Sequence, residues 1–478
     1  MASIKRLNSI TKGSDLAIIC TKWNNKNEYG IEDAVSDYIT NEIKEKEKKF
    51  VAVNHLGRLL FVCIVDGKKP EGSSAEALRK NGCTISDVLN AAKSKQVTII
   101  NESGHHACSL ALAEGIALAN YQFLHHKPSA KKNLNTLTSI FITDKKCSDK
   151  EISNLNIVVD ATCKARDLVN EPVNVLNAEG LAEAFKDFGK EAGFKVEVLN
   201  KAKIVQLKMG GLLCVNQGSV DPPTFTIMEY KPKGAKNKNP YVLVGKGVVY
   251  DTGGLSLKPT ANSMDMMKCD MAGAAAVGAT LYAITKAKLN VHVIGLVPAT
   301  DNRPGFNAFA PGDIITMMDG STVEMLNSDA EGRMILADAL HYAKRYEPKL
   351  TIDLATLTGA AMAAIGQYGI VGMGNASDKQ KERLKESGLN VYERIAEFPF
   401  WDEYDDLMKS DIADQKNIGG PVGGAITAGK FLVKFTNYPY FHLDIAGPAF
   451  TTGKDSYRGK GGTGVGVRLL FDFFSKNN

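Results

Sequence analysis

Four acidic residues lie where the sequence predicts that a strand ends or a helix begins. They are Asp251, Asp270, Asp329 and Glu331. Carboxylates that are brought together either take up protons or bind cations. An oxygen-rich set with few histidines suits hard or borderline divalent metals. Because two such ions sharing a carboxylate form a recognised hydrolytic arrangement, the four acids predict a two-metal site.

Two basic residues accompany these acids. Lys258 lies seven residues after Asp251 in a Gly-rich turn, and Arg333 lies two residues after Glu331. A lysine beside two metals can polarise a carbonyl oxygen, and an arginine can hold an anion through two hydrogen bonds. The alternative is that both side chains only neutralise the acids. The residues alone predict a two-metal hydrolase without indicating which bond is cleaved.

Each acid also has a purely structural interpretation. Asp270 directly precedes the helix-like run MAGAAAVGATLYAI, where it would act as an N-cap. Asp329 and Glu331 precede GRMILADALHYAKR, where acids favour the first helical turn. Residues two apart share a face only in an extended segment, so the metal interpretation predicts that residues 329–331 are extended. The metal interpretation is favoured because all four acids lie at such junctions.

An α/β pattern would position these residues. The run VVY between Lys246 and Asp251 is typical of a strand, and Gly253 and Gly254 follow it as a tight turn. In open α/β sheets, ligands bind at the carboxyl ends of strands. Further strands are predicted at 194–200, 225–230, 241–245, 291–297, 350–354 and 440–444, and helices at 151–175, 178–192, 271–288 and 330–345. This alternation predicts a mostly parallel sheet with helices on both faces.

The first 150 residues have an α/β pattern of their own. Strands are predicted at 15–20, 50–55, 58–67, 97–102 and 138–144, and helices at 30–48 and 107–123. This part contains 22 Lys and Arg against 16 Asp and Glu, a net charge of +6, whereas the rest carries −1. The excess is either a solvated surface, which is favoured, or a face that binds nucleic acid.

Composition restricts the class of protein. With 478 residues, 44% hydrophobic and 23% charged, the chain is predicted to be globular, and a disordered or collagenous chain is excluded. The longest uncharged stretch begins at Leu354 and is rich in Gly and Ala, which predicts a buried segment and no membrane span. The eight cysteines form no CxxC pair, and the first residues lack a long apolar run. The expected location is therefore the cytoplasm.

Two segments carry a family resemblance. VGKGVVYDTGGLSLK (244–258) and NSDAEGRM (327–334) resemble the signatures of the leucyl aminopeptidase (cytosol aminopeptidase) family, whose octapeptide NTDAEGRL the second matches at six positions. ARDLVNEPVN (165–174), DMAGAA (270–275), DLATLTGA (353–360) and HLDIAG (442–447) also resemble family segments. The resemblance covers about residues 160–475. It implies a smaller N-terminal α/β domain, residues 1–155, and a larger C-terminal catalytic domain, residues 156–478, with a mostly parallel central sheet flanked by helices.

The resemblance also implies two divalent ions per chain, Zn²⁺ or Mn²⁺, with Mg²⁺ or Co²⁺ as alternatives. The ligands implied for a tight site are Lys246, Asp251, Asp270 and Glu331, and those for an exchangeable site are Asp251, Asp329 and Glu331. Lys246 would have to bind as the neutral amine, because an ammonium has no lone pair. Lys258 would polarise the scissile carbonyl, and Arg333 would hold a bicarbonate ion that acts as the general base.

The implied activity is that of an aminopeptidase. It would release Leu-like residues from peptides with a free N-terminus, and the chain would form a homohexamer. The residues implied for the apolar substrate pocket are Met267, Thr356, Leu357, Gly359, Ala446 and Ala449. The loop between Lys258 and Asp270 is about one residue longer than in well-known members, which bears on the assignment of Met267.

Two alternatives stay open at this point. The first is a DNA-binding or scaffolding hexamer that retains the aminopeptidase fold, which the basic first 150 residues would suit. The complete set of candidate catalytic residues argues against a loss of catalysis. The second is a dipeptidase acting on Cys-Gly, which would differ in substrate and share the same site.

Overall fold

The structure of the chain, a computed structural model, describes residues 2–10, 13–24 and 29–476, without the side chain of Lys131. It divides into two compact units. The first comprises Met1–Cys163 and Lys454–Gly459, and the second comprises Lys164–Gly453 and Lys460–Asn478. The helix Asp149–Asn170 contains both this division and the domain boundary expected at residue 155.

The first unit is built on a six-stranded sheet in the order β1-β6-β5-β2-β4-β3. All neighbours are parallel except the hairpin β3–β4. The strands are β1 Ser3–Arg6, β2 Leu16–Cys20, β3 Phe50–His55, β4 Arg58–Ile64, β5 Gln96–Asn101 and β6 Ser139–Ile142. The helices are α1 Asp33–Lys44, α2 Ser73–Ala91, α3 Ala107–Ala119 and the start of α4 Asp149–Asn170.

Helices α2 and α3 pack closely because glycines face the contact. A Cβ on Gly82 would lie 2.7 Å from the backbone nitrogen of Ile116, and one on Gly115 would lie 2.1 Å from the carbonyl oxygen of Arg79. Helix α2 was not predicted. Its sequence contains a central glycine and β-branched residues, which are weak helix formers, so packing against α3 determines its conformation.

The second unit contains a nine-stranded sheet in the order β16-β15-β18-β14-β9-β11-β8-β7, with β10 paired to β11. Strands β18, β14, β9, β11 and β10 are parallel to one another, whereas β15, β8 and β7 join through antiparallel pairs. The strands of this sheet are β7 Lys195–Leu199, β8 Thr224–Tyr230, β9 Tyr241–Gly245, β10 Gly247–Asp251, β11 Val293–Asn302, β14 Leu350–Ala355, β15 Ile370–Met373, β16 Ile395–Glu397 and β18 Tyr440–Asp444. The smaller sheets contain β12 Asp313–Thr316, β13 Thr322–Met325 and β17 Gln415–Lys416, and β19 Phe450–Asp455 with β20 Gly459–Gly462.

Helices cover this sheet, and α8 and α9 both pack against its central strand β9. All five residues of β9 are buried, as expected for a strand covered on both faces. The helices are α5 Ala178–Ala192, α6 Lys201–Gln206, α7 Gly210–Asn216, α8 Ala272–Lys286, α9 Gly332–Ala343, α10 Gly359–Ile365, α11 Asp378–Val391, α12 Glu403–Asp406, α13 Gly424–Val433 and α14 Val467–Lys476.

The predicted fold class, two α/β domains with a mostly parallel central sheet in the larger one, is confirmed. The bounds predicted for β9, β18 and α5 agree with the structure, whereas the predicted helix 30–48 is shorter, Asp33–Lys44. Among the described residues, no helix is both long and apolar enough to cross a membrane.

Candidate metal centre

The parallel strands of the second unit bring their carboxyl ends to one edge of the sheet. Lys246 directly follows β9, and Thr356 directly follows β14. The last residues of β10, β11 and β18 are Asp251, Asn302 and Asp444. Because ligand sites in such sheets form at this edge, the topology gathers the chemistry-bearing residues from five strands.

The turn after Asp251 requires glycine. Gly253 and Gly254 have φ values of +85° and +61°, which L side chains rarely adopt. A Cβ on Gly253 would also lie 2.9 Å from Oδ1 of Asp329. The turn lets the backbone nitrogen of Lys258 donate to the carbonyl oxygen of Thr252 at 2.9 Å. Lys258 therefore lies close to Asp251, although seven residues separate them in the chain.

The structural interpretation of Asp270 is wrong. The N-cap of α8 is Met271, and Asp270 instead follows the 3₁₀ helix Met264–Cys269. Its Oδ1 accepts a hydrogen bond of 2.7 Å from Oγ1 of Thr356. The carboxylate therefore contacts the residue that follows β14, and Asp270 is not the N-cap of α8.

The prediction that residues 329–331 are extended is also wrong. Glu331 has φ −72° and ψ −36°, in the right-handed helical region, and Ala330 donates to the carbonyl oxygen of Asn327 in a turn. The side chain of Glu331 makes no capping hydrogen bond with α9. The turn nevertheless brings the acids together, since Asp251, Asp329 and Glu331 each offer an oxygen within 4.8 Å of the others.

Each of the two lysines, Lys246 and Lys258, forms ion pairs with two of the four acids. Nζ of Lys246 lies 2.8 Å from Oδ2 of Asp270 and 2.9 Å from Oε1 of Glu331. Nζ of Lys258 lies 2.9 Å from Oδ2 of Asp251 and 2.5 Å from Oδ1 of Asp329. Four carboxylates thus face two ammonium groups. The cluster is buried except at Lys258 and Asp329, whose side chains are 16% and 35% exposed.

The electrostatics indicate a shortage of positive charge. Burial raises the pKa of Asp270 well above its usual range, and burial together with Glu331 raises the pKa of Asp251. Burial and Asp251 raise the pKa of Asp329. Burial opposes the charge of Lys246, but Asp270 and Glu331 outweigh it and raise its pKa. The cluster therefore stabilises additional cationic charge.

The donor set fits divalent metal ions. Oε2 of Glu331 is buried and accepts no hydrogen bond from any residue that the structure describes. An unsatisfied buried carboxylate oxygen is costly, and carboxylate oxygens are the ligands that hard divalent cations prefer. The orphaned oxygen and the excess of carboxylates over ammonium groups are both consistent with bound divalent cations.

Arg333 lies beside the acids in the first turn of α9. Its Nη1 donates to the carbonyl oxygen of Asn417 at 2.6 Å, whereas its Nε is buried and has no hydrogen-bond partner in the described part of the chain. Burial lowers the pKa of Arg333 to about 10. The guanidinium therefore has a free donor for an anion.

The predicted pocket residues lie on elements that meet at this edge. Thr356 and Leu357 are partly buried after β14, and Ala446 is partly buried after β18. Gly359, the first residue of α10, is exposed, and Met267 lies partly buried in the 3₁₀ helix Met264–Cys269. Ala449, the sixth candidate, is 1% exposed and presents almost no surface.

Sequence analysis missed Asn302. Nδ2 of this fully buried residue donates to Oδ1 of Asp251 and to the carbonyl oxygen of Ser328, both at 2.9 Å. It therefore orients one candidate ligand and the backbone next to another, as residues behind metal ligands commonly do. Its place at the end of β11 could have indicated it, but this strand was predicted to end at residue 297, five residues too early.

Comparisons with known proteins agree with the motifs. Residues 163–471 match the cytosol aminopeptidase family, catalytic domain. A probable cytosol aminopeptidase of Chlorobium phaeobacteroides is 44% identical over 439 residues, covering 88% of this chain and 86% of that protein. One from Chlorobaculum tepidum is 55% identical over 312 residues, 65% of this chain, and this chain covers 61% of its length.

A solved structure of a tomato leucine aminopeptidase mutant is similar over the whole chain. It matches with a TM-score of 0.88 at 26% identity, covering 100% of this chain and 97% of that one. The DNA-binding or scaffolding alternative gains no support from these comparisons. The family predicted from the motifs around Asp251 and Glu331 is confirmed, and this chain belongs to the cytosol aminopeptidase family.

Proposed function

We propose that the chain is a metal-dependent aminopeptidase that releases N-terminal amino acids, Leu-like ones preferred, from peptides with a free N-terminus. The observation that carries the proposal is the buried cluster of four carboxylates and two lysines. It lies at the ligand-binding edge of the sheet and on three segments that resemble family segments, 244–258, 270–275 and 327–334. Family membership supports the reaction class.

The residues that would hold two divalent ions are Lys246, Asp251, Asp270, Asp329 and Glu331. Zn²⁺ or Mn²⁺ is proposed, with Mg²⁺ or Co²⁺ as alternatives for an oxygen-rich set. When bound, the ions would supply Lewis acidity toward the scissile carbonyl and lower the pKa of the hydrolytic water. Lys246 would join the set as a neutral amine, because only that form has a lone pair.

Lys258 would stabilise the negative charge that develops on the scissile carbonyl oxygen. Its side chain is the more exposed of the two lysines, and Asp251 and Asp329 pair with its ammonium. A partly exposed ammonium fixed in this way can donate to a substrate oxygen without first reorganising. This preorganisation is the main contribution that a fixed charge makes to catalysis.

Arg333 would bind bicarbonate, which would accept a proton as general base. Its buried Nε has no hydrogen-bond partner within the described ranges, which supports an anion there. Substrate side chains would contact Met267, Thr356, Leu357, Gly359 and Ala446. A mainly apolar pocket prefers Leu-like side chains by only about 1–3 kcal/mol per methylene.

Three further proposals accompany the activity. A homohexamer and a cytoplasmic location are inferred from the family. All eight cysteines are buried and none forms a disulfide, which is compatible with a reducing compartment. The domain boundary at residues 155/156 stays a proposal. Light scattering of the purified protein tests the hexamer directly, since a monomer would have a mass of 51.6 kDa.

The activity is tested with Leu-p-nitroanilide and added Mn²⁺ or Zn²⁺. We expect hydrolysis, its loss on treatment with a chelator, and its recovery when metal is returned. N-acetyl-Leu-p-nitroanilide should not be cleaved, because its N-terminus is blocked. The absence of Leu-p-nitroanilide hydrolysis with either metal would contradict the proposed function.

The site assignment is tested with Glu331→Gln and Lys258→Ala. Each should lower kcat by about 10²–10³-fold or more, because Glu331→Gln removes a charge that would hold the metal ions and Lys258→Ala removes the charge that would stabilise the scissile carbonyl oxygen. The matched controls are Glu386→Gln and Lys233→Ala, at exposed positions, which should keep the activity of the unchanged protein. Full activity of either site variant would show that the residue is not part of the machinery.

A further inference from the structure

Asp444 is a buried carboxylate that neither the metal centre nor the predicted pocket includes. It is the last residue of β18, in register with Ala355, the last residue of the parallel neighbour β14. It is 1% exposed. Its position places one acidic side chain between the two backbone segments that leave these strands.

The carboxylate of Asp444 holds both segments. Oδ1 accepts hydrogen bonds from the backbone nitrogens of Leu357 and Ala446, each at 3.1 Å. Oδ2 accepts one of 2.7 Å from Oγ1 of Thr358. Leu357 and Ala446 are candidate substrate residues on different segments, so a single side chain fixes their separation.

Thr358 connects Asp444 to helix α10. It is the N-cap of the helix, and its Oγ1 accepts a hydrogen bond of 3.0 Å from the backbone nitrogen of Ala361. Its hydroxyl hydrogen is thereby directed to Asp444. The start of α10, where Gly359 is exposed, is consequently held by the same carboxylate.

The loop 356–359 is fixed from its other side by the metal centre. The carbonyl oxygen of Thr356 accepts from Nζ of Lys246 at 3.0 Å, and its Oγ1 donates to Asp270. Only Thr356, of the four loop residues, has these contacts. Of the remaining residues, Leu357 and Thr358 are held by Asp444.

We propose that Asp444 is a positioning residue that sets the loop 356–359 and Ala446 at the correct distance from the metal centre. It thereby sets the affinity for the N-terminal residue of the substrate. The inference rests on the proposed function, because the substrate contacts are assigned through it. Asp444 itself touches no reacting atom, so its removal affects binding more than turnover.

The chemistry of the three hydrogen bonds requires a carboxylate. Two backbone N–H groups and one hydroxyl all donate, so both oxygens must accept. An Asn side chain would present its NH₂ group to at least one of these donors. Turned with its oxygen toward the two backbone N–H groups, the amide can only donate to Oγ1 of Thr358, so the hydroxyl loses its acceptor and the other two hydrogen bonds lose the negative charge of their acceptor.

The test is Asp444→Asn, assayed with Leu-p-nitroanilide. Loss of a hydrogen bond to a buried charged group should raise KM by about tenfold to hundredfold. We expect kcat to change by less than about threefold and the metal content, measured by mass spectrometry, to stay that of the unchanged protein. A role limited to folding would instead lower kcat, metal content and melting temperature together.

A second pair of variants gives a rescue. Thr358→Val removes the hydroxyl and should reproduce the rise in KM, whereas Thr358→Ser keeps it and should not. Unchanged KM in both Asp444→Asn and Thr358→Val, in an enzyme that is otherwise active, would overturn the inference while leaving the proposed function intact.

Hydrogen exchange tests the inference even if the chain cleaves no peptide. In Asp444→Asn, amides of residues 357–361 should exchange faster than in the unchanged protein, whereas those of β9 should not change. Absence of Leu-p-nitroanilide hydrolysis by the unchanged protein would contradict the proposed function alone. Unchanged exchange at 357–361 would contradict the positioning role.

Discussion

At the scale of single residues, the candidate metal centre requires a residue without a side chain at position 332. Gly332 is the first residue of α9, directly after Glu331. A Cβ built on it would lie 2.4 Å from Cε and 2.6 Å from Nζ of Lys246. These distances are shorter than any ordinary contact, so Lys246 occupies the space that a larger residue at this position would need.

We therefore expect Gly332→Ala to reduce activity by about 10²-fold or more, although alanine is the better helix former by about 1 kcal/mol. The reason is that Nζ of Lys246 must move away from Asp270 and Glu331. The measurements are kcat/KM for Leu-p-nitroanilide and the metal content. Gly453→Ala, where a Cβ would meet nothing within 4 Å, is the matched control and should be neutral. Normal activity of Gly332→Ala would mean that Lys246 needs no fixed position.

The acids of the cluster could be predicted from sequence, but the residues behind them could not. Asp251 and Glu331 lie at junctions that hydrophobic patterns reveal, and in segments that resemble family signatures. Asn302 and Asp444 contact partners that are distant in the chain, Ser328 at 26 residues and Leu357 at 87 residues. Only the pairing of β10 with β11 and of β14 with β18 brings them there, and a single sequence contains no signal for strand order.

At the scale of elements, helix α9 is tied to its surroundings by a second buried acid. Oδ2 of Asp338 accepts from the backbone nitrogen of Leu212 in α7 at 2.9 Å, and Oδ1 accepts from that of Met318 at 3.0 Å. Burial raises the pKa of Asp338 to about 7 in spite of these hydrogen bonds. The helix that carries Arg333 is thus held by a carboxyl group whose pKa is raised to about 7.

This shift predicts a pH dependence of stability. Between about pH 4 and 7 the folded protein keeps a proton on Asp338 that the unfolded chain has released. The free energy of unfolding should therefore fall as pH rises through that window, by up to about 1.4 kcal/mol per pH unit from this group, and level off above pH 7. Urea unfolding at pH 5, 6, 7 and 8 measures it.

The matched comparison is with Asp338→Asn and with Asp411→Asn, which changes an exposed residue. Other acids titrate in all three proteins, so the difference from Asp338→Asn isolates the contribution of Asp338. That difference should change with pH, whereas the difference from Asp411→Asn should not. A constant difference across the series would contradict the raised pKa.

Elements with strong local patterns could be predicted, and those stabilised by packing could not. Strand β9 and helix α5 have the predicted bounds because their hydrophobic periodicity and end signals agree. Helix α2 has a weak helical sequence and forms against α3 through Gly82 and Gly115. The prediction of an extended segment at residues 329–331 failed because the spacing of the acids does not reveal the local turn, in which Asn327 accepts hydrogen bonds from the backbone nitrogens of Asp329 and Ala330.

At the scale of the whole molecule, the two units are not two consecutive halves of the chain. Residues Lys454–Gly459, more than 290 positions after Cys163, belong to the first unit. Within that unit the hydroxyl of Tyr457 donates to Oε2 of Glu76 at 2.7 Å, and both side chains are at most 2% exposed. Nη1 of Arg458 lies 3.7 Å from Oε1 of the same carboxylate. The fold of the first unit therefore depends on residues from near the end of the sequence.

Tyr457→Phe should accordingly weaken the first unit and leave the metal centre intact. It leaves a buried carboxylate oxygen of Glu76 with one donor fewer, which costs about 1–3 kcal/mol. The chain offers a direct readout, because its two tryptophans are divided between the units: Trp23 is buried in the first, and Trp401 is exposed in the second. In a Trp401→Phe background, tryptophan fluorescence during urea unfolding reports on the first unit alone.

In that background we expect Tyr457→Phe to shift the midpoint of the Trp23 transition to lower urea, and kcat/KM for Leu-p-nitroanilide to stay the same in the absence of urea. Tyr38→Phe, at a position that is 49% exposed, is the control and should shift neither quantity. The reverse pattern, an unchanged Trp23 transition with reduced activity, would mean that the 454–459 segment acts on the catalytic unit. Because the expected loss in Tyr457→Phe is confined to one unit, the two readouts together distinguish a segment that completes a fold from one that controls the reaction.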